Sequence, residues 1–95
     1  MNGQPPVPLD HRVRRRILRR LHEVRDTCTA GELSTDLEME LTEVVYHARV
    51  LTKYEKVKEC RRGVDLANTR FESTVADDPN VIALLISTAA EDESQ

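Results

Sequence analysis

Tyr46, Arg49 and Lys53 recur at intervals of three and four residues within the segment LTEVVYHARVLTKY, residues 41–54. On a helix that spacing gathers them on one side, with Val44, His47, Ala48 and Leu51 on the other. The polar side combines a guanidinium whose fork matches a guanine edge, an ammonium suited to a phosphate, and an aromatic hydroxyl. Thr42 and Glu43 open the segment, and Val45 and Thr52 flank its polar face. A few residues on, Arg61 and Arg62 precede Gly63, whose permissive backbone suits a turn. Two arginines at a hairpin tip could meet phosphates or a minor groove, or simply sit in water.

Other chemistries find little material. No Ser/His/Asp or Cys/His grouping and no glycine-rich phosphate loop is present, and most carboxylates fall on predicted exposed faces. An enzyme is therefore not expected. Cys28 and Cys60 stand alone, without CxxC or CxC spacing, so neither a metal site nor a structural disulfide is predicted, and no cofactor is expected. His47 falls toward the apolar side of its helix and reads as a packed, hydrogen-bonded histidine rather than a base or ligand.

The net charge of −3 conceals strong segregation. Residues 9–25 carry +5, residues 26–48 carry −6, residues 49–63 carry +4 and residues 64–95 carry −6. Two basic blocks on a mildly acidic chain can still build a basic surface, because the field depends on where the charges meet.

These side chains need a frame. A chain of 95 residues bounds one domain, and with no Trp and few aromatics its core must be aliphatic. No apolar run approaches the length of a membrane span, and residues 1–10 lack the basic and apolar regions of a signal peptide, so a cytoplasmic location is the default expectation. Residues 1–8 read as a flexible Gly/Pro-containing tail. A first helix is predicted over residues 9–25, with Leu9, Val13, Ile17, Leu21 and Val24 as its buried stripe. Arg12, Arg15, Arg16 and Arg19 lie opposite that stripe, as a solvated face or a source of one or two phosphate contacts. Thr29 and Glu32 have the spacing of a capping box, which starts a second helix over residues 30–37.

After a short link, Thr42 is a plausible N-cap for a third helix over residues 43–54. Residues 57–60 and 64–73 can pair as two strands around Arg61, Arg62 and Gly63. Asp77-Asp78-Pro79 signals a last helix, residues 79–90. Its Val81, Ile82, Leu84, Leu85 and Ile86 point in too many directions for one partner. It should pack on the first helix and on its own copy in a homodimer. Residues 91–95, EDESQ, read as an acidic tail.

Two helices joined by a tight turn and followed by a basic hairpin make a winged helix-turn-helix, mainly α with a small β-hairpin wing. The order of elements over residues 9–90 resembles the ArsR-like winged-helix regulators. LDHRVRRRILRRL is similar to that family's opening helix and GELSTDL to its supporting helix. LTEVVYHARVL is similar to its recognition helix, and RFESTVADDP to the second wing strand leading into the dimerisation helix. Glu38 and Glu55 stand where the family often has glycine at helix ends. The Cys-x-Cys element of its metal sensors is missing, which excludes sensing by that site.

The resemblance implies a dimer that places its recognition helices in successive major grooves. It implies DNA contacts from Thr42, Glu43, Val45, Tyr46, Arg49 and Lys53, with Arg61 and Arg62 alongside. The function expected is sequence-specific binding of double-stranded DNA by a transcriptional regulator. The alternative is a winged helix used for protein–protein contact without DNA, which Glu43, the acidic second helix and an exposed Val45 and Tyr46 would favour.

Overall fold

The structure, a computed structural model, describes residues 7–62 and 64–94. Of the flexible tail expected over residues 1–8, residues 1–6 lie outside the described residues, as do the turn glycine Gly63 and Gln95; Pro8 is buried in a turn, so the tail does not extend that far. The elements run α1 (Arg12–Val24), β1 (Cys28–Thr29), α2 (Ala30–Leu37), α3 (Leu41–Lys53), β2 (Val57–Arg61), β3 (Arg70–Ser73) and α4 (Pro79–Asp92). A single 3-10 turn, Leu66–Asn68, lies between β2 and β3. The protein is therefore a winged helix-turn-helix, mainly helical with a small antiparallel sheet, two of whose three strands follow the third helix.

The core is aliphatic, as composition requires. Ile17, Leu18 and Leu21 of α1 meet Leu33 of α2, Val44 and Leu51 of α3, and Val57 of β2, all essentially inaccessible to water. Phe71 of β3, the one phenylalanine, is 0 % exposed. Burying such a side chain contributes roughly 2–3 kcal/mol. Leu9 precedes α1, yet it packs into this core.

Local chemistry explains the helix ends. The side chain of His11 caps α1 by accepting from the backbone N–H of Val13 at 3.1 Å. The capping box at α2 is formed in full: Thr29 Oγ1 accepts from Glu32 N at 3.0 Å, and Glu32 Oε1 accepts from Thr29 N at 2.8 Å. At its far end Glu38 turns into the left-handed region with φ 54°. The N–H groups of Glu38 and Met39 there donate back to Thr35 and Ser34. Glu55 does the same after α3, with φ 61° and bonds from Glu55 and Lys56 to Thr52 and Leu51. Both are the paired closing bonds that a glycine usually makes possible, here built with glutamates.

Five expectations need correction, the first being the start of α1, which lies at Arg12 and not at residue 9 because His11 caps it. Helix α3 begins at Leu41, two residues before Glu43, because Val44 N already donates to Glu40 O at 3.0 Å; Thr42 lies inside the helix rather than capping it. Strand β3 begins at Arg70, not residue 64. Asp65 instead caps the 3-10 turn through the N–H of Asn68, and that turn lies against α2. A side chain at Gly31 would meet Ala67 O at 3.2 Å, so the glycine permits this close approach. The sheet also has a third strand, in the order β1-β3-β2, with Cys28 opposite Phe71 and Thr29 opposite Arg70. Finally, α4 continues to Asp92, which is buried, so residues 91 and 92 are helix and not tail.

Candidate nucleic-acid interface

The turn between α2 and α3 sets the outer face of α3. Apolar Val44, Val45, Ala48 and Leu51 turn inward with His47, which leaves Thr42, Glu43, Tyr46 and Lys53 exposed and Arg49 half-buried. Tyr46 is 60 % exposed. Val45 was an expected contact residue, but it is 4 % exposed and belongs to the core. The polar arc of α3 is therefore narrower than the helical wheel suggests. Glu43 sits in the first turn, where a carboxylate complements the partial positive charge of the helix N-terminus.

The wing reaches the same face through one carboxylate. Arg49 Nε donates to Glu59 Oε1 at 3.3 Å, and Arg62 Nε donates to Glu59 Oε2 at 3.0 Å. Burial pushes the Glu59 carboxyl up, but the bonds from Arg62 and Arg49 outweigh it and leave it below its ordinary value. Glu59 thus ties the wing to α3 and leaves one net positive charge among the three groups. Lys53 and Arg61 are exposed and form no ion pair among the described residues. Arg61 lies opposite Arg70 across the strands, with an irregular register between Glu59 and Arg61. Like charges so placed destabilise a strand pair. Arg70 turns to Thr27 Oγ1 at 2.9 Å, while Arg61 stays in solvent.

Four arginines of the other basic block are engaged within the fold. Arg15 forms a two-pronged ion pair with Asp92, with Nε and Nη2 each 2.7 Å from a carboxylate oxygen. Arg19 reaches Asp92 at 3.1 Å, Glu93 at 2.9 Å and the carbonyl of Leu85. Arg16 pairs with Glu93 at 3.1 Å, and Arg12 donates to the carbonyls of Asp92 and Ser94. The expectation of a solvated or phosphate-contacting face on α1 is therefore corrected: these arginines fasten the end of α4. The Arg15 bond, reinforced by Arg19, holds the Asp92 carboxyl at about 2 despite its burial. Opposite-signed blocks at residues 12–19 and 91–93 were the available signal for this clamp.

The remaining candidates are structural. His47 Nδ1 accepts from Arg14 Nε at 3.1 Å, and its ring lies 4.4 Å from that of His11. Burial, then the neighbouring His11 and Arg14, pushes its pKa down, so His47 is neutral and packed, as its position implied. Cys28 is buried and Cys60 exposed, both free thiols, and burial pushes both pKa values up. Among the described residues no cluster of His, Cys, Asp and Glu could hold a metal, and no helix is long and apolar enough to cross a membrane.

No curated protein and no solved structure matches the chain. Residues 9–55, from the turn before α1 to the close of α3, match the family model described as a helix-turn-helix domain. Residues 9–55 are thus similar to a helix-turn-helix domain, and with the three-stranded sheet the chain has the fold of a winged helix-turn-helix.

Proposed function

We propose that this protein is a sequence-specific, double-stranded DNA-binding transcriptional regulator of the ArsR-like kind, working as a cytoplasmic homodimer. One observation carries the reading. Tyr46, Arg49 and Lys53 line the outer arc of α3, and Glu59 joins Arg49 to Arg62 of the wing on that same arc. A recognition helix with a cationic wing beside it can read base edges in the major groove while the wing holds phosphates. The dimer is supported by α4, which packs Val81 and Leu85 inward and leaves Ile82 and Ile86 at the surface, Ile86 at 72 % exposure. A second copy would cover them and would set two recognition helices at a fixed spacing. No catalytic role is part of this reading.

Selection from randomised duplexes at about 50 mM salt is the direct test, because phosphate contacts are strongest at low ionic strength. Arg49→Ala should relax the preference at one base position, whereas Arg62→Ala should weaken all duplexes alike and lower the salt slope by about 1. No binding to any duplex refutes the reading. The mixed charge of the face, with Glu43 and Glu59 among the cations, favours a second reading, a module that docks on another protein through Tyr46 and Arg49. The same selection separates the two.

A further inference from the structure

Glu59 occupies a strand position where the alternation calls for an apolar residue. Val57, two residues before it on the same face, is 2 % exposed, and Glu59 pairs across the sheet with Phe71, which is wholly buried. Its side chain is 16 % exposed. A carboxylate held this far from water needs cationic partners. It has two, and both use the same atom: Arg49 and Arg62 each donate through Nε. The Nη1 and Nη2 atoms of both guanidiniums make no hydrogen bond among the described residues. In bidentate guanine recognition the two-pronged end of the arginine meets O6 and N7.

We propose that Glu59 is a positioning residue for base recognition: it holds Arg49 by its inner edge and presents the outer fork to the groove, while it holds Arg62 beside it for the backbone. The proposal rests on the DNA-binding reading and adds to it the source of discrimination. An arginine already held in place loses less side-chain freedom on binding than a free one. It also accepts fewer alternative poses on a wrong base pair. The opposing effect is general: a carboxylate near the phosphates weakens every duplex by charge repulsion. Glu59 therefore favours selectivity over affinity.

The test compares wild type, Glu59→Gln and Arg49→Lys on three probes: the duplex selected by the wild type, its single-base-pair variants, and an unrelated duplex. Melting curves establish that each variant is folded. Glu59→Gln should bind the unrelated duplex more tightly, with a steeper salt dependence. Its ratio of selected to unrelated affinity should fall roughly tenfold, within the range one bidentate arginine supplies. Arg49→Lys should lose the ratio with Glu59 intact, because an ammonium has no second edge to hold; this variant carries the test if Glu59→Gln does not fold. A wild-type ratio in Glu59→Gln, or in Arg49→Lys where that variant carries the test, overturns the proposal and leaves DNA binding standing. A wild type that prefers no duplex overturns both.

Discussion

Replacing Asp92 by Asn tests whether the end of α4 is held by charge. The side chain is 1 % exposed and receives Arg15 and Arg19 at 2.7 and 3.1 Å. Its pKa falls from 3.8 to about 2 on folding. At roughly 1.4 kcal/mol per pK unit, the folded state favours the carboxylate by about 2–3 kcal/mol. Breaking a buried pair outright costs about 3–5 kcal/mol, but Asn keeps one acceptor oxygen, so the smaller figure should govern. Urea titration followed by far-UV circular dichroism, at fixed protein concentration, should show a loss of about 2–3 kcal/mol at pH 7. Thermal melting should fall by roughly 10–20 °C for a domain of this size.

The pH dependence makes the test specific. A depressed carboxyl pKa stabilises fully above the unfolded value of 3.8, and the contribution disappears as pH falls through about 2. The gap between wild type and variant should be constant from pH 7 to 5 and about half as large at pH 3. A loss under about 0.5 kcal/mol at pH 7, the size of an ordinary surface change, would refute the electrostatic account. So would a loss of the same size at pH 3 and pH 7.

Three further outcomes are expected. Ile86→Glu should convert a dimer to a folded monomer by analytical ultracentrifugation with an unchanged circular dichroism spectrum, since Ile86 is 72 % exposed within the protomer; a monomeric wild type would remove the dimer. Glu38→Gly should stabilise by up to about 1 kcal/mol in a chemical melt, because φ of 54° is strained for a residue with a Cβ; a destabilised variant would mean that the Glu38 side chain matters more than its backbone. Neutral His47 accepts from Arg14, and its pKa is lowered, so its contribution is complete above about 6.5 and is lost as pH falls through the lowered value. His47→Gln should therefore melt with a flatter dependence between pH 7 and 5 than wild type, with His22, shifted the same way by burial, supplying the remainder; equal slopes would exclude His47.

Signals confined to a few neighbouring residues are legible in this chain. Thr29 and Glu32 make their capping box, Asp78 caps α4 with Pro79 in its first turn, and the stripe of Ile17 and Leu21 is buried. What the periodicity does not reveal depends on partners far along the chain. Val45 lies at the margin of a helical wheel, and only the packing of α3 decides that it is core. Residues 91–93 look like a solvated tail until Arg15, Arg16 and Arg19 are placed beside them. Strand β1 has two residues, too few to alternate, and it exists because β3 pairs with it. At the candidate site, α3 and the wing arginines were readable by type and spacing. Glu59 was not, because a lone glutamate in a strand gives no sign that two arginines converge on it.

The α1–α4 clamp also bears on time. Arg15 and Asp92 stand 77 residues apart in sequence, and Arg12 and the Asp92 carbonyl 80. Contacts of that range require most of the chain to be in order before they can form. Interactions absent from the folding transition state act on the unfolding rate and leave the folding rate alone. The clamp is thus expected to govern how long a folded molecule lasts rather than how quickly it arises. In Asp92→Asn the unfolding arm of the denaturant rate plot should rise while the folding arm stays in place. A shifted folding arm would put the clamp inside the nucleus.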